Sequence, residues 1–113
     1  MPVSSQQLEV WLNSDENEHL EFKKAQDGFS TEELLKYCCA LANEKGGVLI
    51  LGISDKKPRQ IIGSKAFQDL NKTKEQLSSL ALRIEISEVI YQDKRVLVFE
   101  VPSRPLGVPR KVN

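Results

Sequence analysis

The chain has 113 residues, 40% apolar and 28% charged, which is enough for one hydrophobic core, too apolar for a disordered tail and too short for two sizeable domains. No apolar run reaches the roughly 18 residues of a membrane span, and residues 1–8 lack the basic-then-apolar layout of a secretory signal, so a cytoplasmic location is the expectation. The 16 basic and 16 acidic residues cancel, so the whole-chain footprint of a nucleic-acid binder is missing, yet residues 1–35 carry −6, residues 36–65 +4 and residues 66–113 +2.

Ser4 or Ser5 can cap a short helix in which Leu8, Trp11 and Leu12 fall on one face, ended by Asn13 and Ser14. Residues 17–23 alternate, with Leu20 and Phe22 on one side and His19, Glu21 and Lys23 on the other, as in a half-buried strand that points Glu21 away from the core. Ser30 and Glu33 form a capping-box pair, and Leu34, Leu35, Cys38, Leu41 and Ala42 make an apolar stripe that ends at Gly46. The adjacent Cys38 and Cys39 suit neither a long-range disulfide nor a zinc site and read as helix packing. Residues 47–53 are a continuous apolar run, the pattern of a central strand covered on both faces.

A polar turn over residues 54–58 and a short return over 59–62, ending at Gly63, predict a hairpin. Residues 67–82 carry a helical pattern without a clear stop, and residues 84–91 and 96–101, joined by Gln92-Asp93-Lys94, predict a second hairpin closed by Pro102. Beyond it, residues 102–113 read as an extended tail. The order predicts an α+β fold: a mixed, largely antiparallel sheet of about five strands, with two or three helices packed on one side.

Three segments carry a resemblance: Glu16-Asn17-Glu18-His19-Leu20-Glu21-Phe22-Lys23, then Ala40-Leu41-Ala42-Asn43-Glu44-Lys45-Gly46-Gly47 running into the apolar strand and Ser54-Asp55, then Val96-Leu97-Val98-Phe99-Glu100-Val101-Pro102-Ser103. In this order they resemble the Schlafen Alba-like domain and cover most of the chain. The resemblance implies a nucleic-acid-binding module, with DNA favoured over RNA, of the kind common in bacterial transcriptional regulators, some labelled divergent ATPases or related to ATP-dependent DNA helicases. Members of that family usually continue into a further strand, so the chain looks like the N-terminal fragment of a longer protein, with residues 1–113 as its Schlafen Alba-like domain.

Some Schlafen proteins are ribonucleases that use two glutamates and an aspartate, and the matching positions here are Glu16, Glu21 and Asp55, with Glu18 as an alternative to Glu16. Such a set suits Mg²⁺ or Mn²⁺ and activation of water beside a phosphate. The simpler account is that Glu21 pairs with Lys23 on a solvated strand face and that the other two sit in loops. Basic residues form four groups: Lys23 with Lys24; Lys56, Lys57 and Arg59; Lys94 with Arg95; and Arg104 with Arg110 and Lys111. Gathered at one sheet end they would form a phosphate-contacting rim; as solvated turn residues they need no explanation.

Gly46-Gly47 and the helix start at Ser30-Thr31 are further candidate anion seats, although helix termination explains the glycines. No Gly-x-x-x-x-Gly-Lys loop exists, since Ile53 stands where the lysine belongs, which disfavours ATP hydrolysis. His19 lacks a nucleophile partner and reads as a surface residue. Trp11 and Phe29 could stack on bases, but Trp11 lies on an apolar stripe that favours packing. The leading reading is thus a binding module, not itself an enzyme and needing no cofactor; a metal-dependent ribonuclease comes second, and a protein-interaction module or homodimer third.

Overall fold

The computed structural model describes residues 3–104. The tail expected beyond Pro102 lies, from residue 105 onward, outside the described residues, and Arg110 and Lys111 lie there with it.

Helix α1 (Ser5–Leu12) starts at Ser4, whose side chain accepts from the Gln7 N–H at 3.1 Å, satisfying one of the donors that a helix start leaves free. Strand β1 (Leu20–Lys23) follows, then α2 (Thr31–Asn43), where Ser30 Oγ accepts from the Glu33 N–H at 3.0 Å as the capping pair predicts. The helix stops because Lys45 and Gly46 both take positive φ, and Gly46 N–H returns to the Leu41 carbonyl at 2.8 Å. Strand β2 (Gly47–Leu51) begins at once. A Cβ at Gly47 would lie 2.6 Å from the His19 carbonyl oxygen and 2.8 Å from Leu41 Cδ2. That space is taken by β1 and α2, so the glycine serves close packing and not an anion.

Helix α3 (Leu70–Leu77) and a 3-10 turn (Ser78–Leu80) are shorter than the pattern over 67–82 predicts. Phe67 is drawn out of the helix into an edge-to-face stack between Phe29 and Phe99, and Asp69 caps the helix instead. At the far end Ala81 adopts a left-handed conformation that closes the turn. Strands β3 (Glu85–Tyr91) and β4 (Lys94–Val101) form the expected hairpin. Its loop is the two residues Gln92 and Asp93, both at positive φ, as the tight turns matching strand twist require.

Among the described residues the sheet has four strands in the order β1-β2-β4-β3, with β1 parallel to β2 and the other pairs antiparallel. The fifth expected strand is missing because the 54–62 return makes only an isolated bridge between Ile53 and Ile61. Ser54 Oγ captures the Gln60 N–H at 2.8 Å in place of a ladder carbonyl. Helices cover both faces, not one. Leu20, Phe22, Ile50, Val96 and Val98 pack with Leu8 of α1, while Leu49, Leu51, Leu97 and Phe99 pack with Leu34, Cys38 and Leu41 of α2 and Leu77 of α3. The unbroken apolar runs of β2 and β4 demand this, since alternate residues face opposite sides and both sides must leave water. Accordingly Glu21 and Lys23 face the side that α2 covers rather than a solvated one.

Candidate nucleic-acid interface

Hydrogen bonds between neighbouring backbones gather three stretches at one end of the sheet. Lys23 ends β1 opposite Leu51, and its carbonyl accepts from Gly52 N–H at 2.9 Å. The chain leaves through residues 54–60 and returns, with Ile62 N–H donating to the Gly52 carbonyl at 2.8 Å and Ser64 N–H to that of Arg95 at 2.8 Å. Lys65 N–H donates to the Gln26 carbonyl at 3.0 Å. Lys23, Lys24, Lys56, Lys57, Arg59, Lys94 and Arg95 therefore belong to this end. Arg104 belongs to the other: its N–H donates to the Ala42 carbonyl at 3.2 Å, and its side chain bonds Asn43 Oδ1 at 2.7 Å.

Within that end, the arginines are tied to the protein. Arg95 donates to the carbonyls of Ser64, Ala66 and Phe67 and pairs with Glu88. Arg59 Nη1 donates to the Leu12 carbonyl at 2.9 Å and the Ser14 carbonyl at 2.7 Å, closing the C-terminal end of α1 where helix carbonyls lack partners. A planar fork with five donors suits such multiple carbonyl contacts better than an ammonium does. Lys57 pairs with Asp15 at 2.9 Å and with the Asn13 carbonyl. Lys23 lies 5.0 Å above the Tyr37 ring, and the Tyr37 hydroxyl beside it raises its pKa. Lys24, Lys56 and Lys94 are exposed and have no side-chain partner among the described residues. Lys65 joins them, a cation outside the four basic groups of the sequence; it lies two residues beyond Gly63, where the return ends, and that position was the available signal.

Two of the candidate carboxylates, Glu16 and Glu21, also meet. Glu16 Oε2 accepts from the Phe22 N–H at 2.9 Å, covering a donor on the open edge of β1. Glu21 is half-buried, hydrogen-bonded to Glu16 and within the field of Asp55. Burial first, then the Glu16 carboxyl push its pKa up to about 7, against an opposing pull from Lys23, with the Asp55 charge adding least. Glu18 instead sits exposed, 3.7 Å from the His19 imidazole. His19 Nδ1 lies 2.9 Å from the Gly46 carbonyl. As a metal cage the set does not fit: among the described residues no three His, Cys, Asp or Glu side chains come close enough to hold an ion. Glu16 is already occupied by a backbone donor, and Glu21 tends to keep its proton.

Of the candidate base-stackers, Phe29 packs between Tyr37 and Phe67, and Trp11 packs against the α1 face of the sheet. Among the described residues no helix is long and apolar enough to cross a membrane.

An α+β domain with a mixed four-stranded sheet, helices on both faces and a lysine-bearing end is what this sequence builds. A profile of the Schlafen, AlbA_2 family matches residues 16–113, and the chain belongs to that family. Two solved structures share the fold. The DIP2311 protein from Corynebacterium diphtheriae is 21% identical with a TM-score of 0.64; the match covers 88% of this chain and 25% of that one, so this chain spans a quarter of its length. The N-terminal domain of a RecG-related protein from Nitrosomonas europaea, named for an ATP-dependent DNA helicase, is 24% identical with a TM-score of 0.60, covering 94% of this chain and 76% of that one. No curated protein matches.

Proposed function

We propose that this domain binds nucleic acid, DNA in the first instance, through its phosphates, as the recognition part of a longer regulator or helicase-related protein. The observation that carries the reading is the meeting of Lys24, Lys56, Lys65 and Lys94 at one sheet end while the neighbouring arginines are spent on carbonyls. Membership of the Schlafen, AlbA_2 family supports it, as does the likeness to a domain of a RecG-related protein. Helices cover both sheet faces, so the sheet offers no open platform of aromatic residues, and contact through phosphates brings little sequence preference. Arg59 and Arg95 serve the interface by holding its loops. Replacing the four lysines by alanine should weaken binding to a short duplex at low salt by at least tenfold without lowering stability. Undiminished affinity would discard this surface.

The contact of Glu16 with Glu21, in the field of Asp55, carries a second reading, cleavage of structured RNA, in which the scissile phosphate would have to complete a Mn²⁺ or Mg²⁺ site that these carboxylates do not form by themselves. Loss of Mn²⁺-dependent cleavage in Glu21→Ala would support it, and cleavage that survives would remove it. Self-association is a third reading: β3 is an outer strand, and its Ile90 is 62% exposed. A monomer by sedimentation at high concentration would remove it.

A further inference from the structure

A groove of about 710 Å³ lies between the C-terminal half of α1, residues 57–61 and the β3–β4 turn, within the range of small-ligand clefts. Leu12, Pro58 and Ile61 supply its apolar wall. Its charges do not favour an anion: the Glu9 carboxylate, which accepts from the neutral Tyr91 hydroxyl at 2.8 Å, keeps its charge, and Lys57 pairs with Asp15. A bare phosphate therefore gains little inside it. Lys56 and Lys94, which carry no such partners, stand next in sequence to its walls at Lys57 and, across Asp93, at Gln92.

The floor is Arg59. Its Cζ lies 4.0 Å from the centroid of the Phe22 ring, and Phe22 is fully buried and does not line the groove. Arg59 lines the groove and Phe22 does not, so the guanidinium face away from the ring is the one that a ligand in the groove could reach. Nη1 is committed to two carbonyls, and Nε is buried without a partner. With Nε buried, the Nε–Nη2 fork that grips phosphate is closed, and the two carbonyl bonds at Nη1 hold the guanidinium plane rigid. Such a face stacks on a nucleobase. The exposed amides of Gln60 and Gln92, each able to donate and accept, line the same groove.

We propose that this groove takes one unpaired nucleotide of a bound strand, its base flat on the Arg59 guanidinium, its edge toward Gln60 and Gln92, and its flanking phosphates on Lys56 and Lys94. The proposal rests on the nucleic-acid reading above and adds to the phosphate-contacting surface a seat for an unstacked base.

Amide NMR of the isotope-labelled protein tests it, with adenosine monophosphate and ribose 5-phosphate as probes. Adenosine monophosphate should shift Arg59, Gln60 and Gln92, and ribose 5-phosphate should leave them still. Equal shifts from both, or none from either, overturn the base site. In parallel, the double variant Gln60→Ala, Gln92→Ala should lose on the order of tenfold in affinity for a single-stranded oligonucleotide and nothing for a blunt duplex. Equal loss on both, or loss on neither, also overturns it. If the nucleic-acid reading itself fails, neither oligonucleotide binds wild-type protein at low salt; if only the groove fails, the duplex still binds while adenosine monophosphate is silent.

Discussion

Glu21→Gln should stabilise the protein progressively as pH rises from 4.5 to 7, with the full gain above neutral pH. In the folded state the Glu21 carboxyl titrates at about 7, against 4.5 when free. The folded state therefore holds more protons than the unfolded one between these values, and stability is fullest below pH 4.5 and falls as pH rises toward 7. At about 1.4 kcal/mol per pH unit such a rise amounts to roughly 3.5 kcal/mol in a dry site. Glu21 is only half-buried, and screening by water reduces the penalty to about 1–2 kcal/mol. Glutamine keeps the shape and can still donate to the Glu16 carboxylate, so it removes the penalty without opening a cavity. Urea unfolding at pH 4.5 and pH 8 gives the answer: the variant should match wild type at pH 4.5 and exceed it by about 1–2 kcal/mol at pH 8. An equal gain at both values, or none at pH 8, would show that Glu21 is not held beside Glu16 and Asp55.

Other substitutions separate structural from binding roles. Gly47→Ala should cost about 1–3 kcal/mol in thermal or urea unfolding, because the methyl meets the His19 carbonyl oxygen at 2.6 Å and neither strand can move away. Arg95→Ala strands the carbonyls of Ser64, Ala66 and Phe67 and the Glu88 carboxylate, and on the order of 3 kcal/mol of stability should go with it. Lys94→Ala, one residue away but exposed, should leave unfolding unchanged and weaken duplex binding; a destabilised Lys94→Ala would contradict the division of labour between the two.

Most of the framework was legible because local signals agreed with the fold. Ser30 caps the helix it was expected to cap, Ser4 is the cap of the two serines that fitted the first helix, and the apolar run after Gly46 is the buried β2. What periodicity could not give was the partner of each face. The alternation at residues 20–23 separates Leu20 and Phe22 from Glu21 and Lys23, but which side is wet depends on where α1 and α2 land. The 54–62 hairpin failed for a local reason invisible to pattern, the Ser54 hydroxyl taking a ladder donor. Among the site residues, Arg59 and Arg95 counted as surface cations in the sequence, and only tertiary contact turned them toward carbonyls. Lys65 went unnoticed because the return strand that would have placed it is irregular. The meeting of Glu16 with Glu21 was anticipated through resemblance; the raised Glu21 pKa needed the burial that only packing reveals.

The salt dependence of duplex binding tests the central claim most directly. Four unpartnered lysines at one sheet end predict that log K against log salt falls with a slope of about −3.6, and that the slope flattens toward zero when Lys24, Lys56, Lys65 and Lys94 are replaced by alanine. A slope near zero in the wild type, or one that the four replacements leave unaltered, would contradict the account.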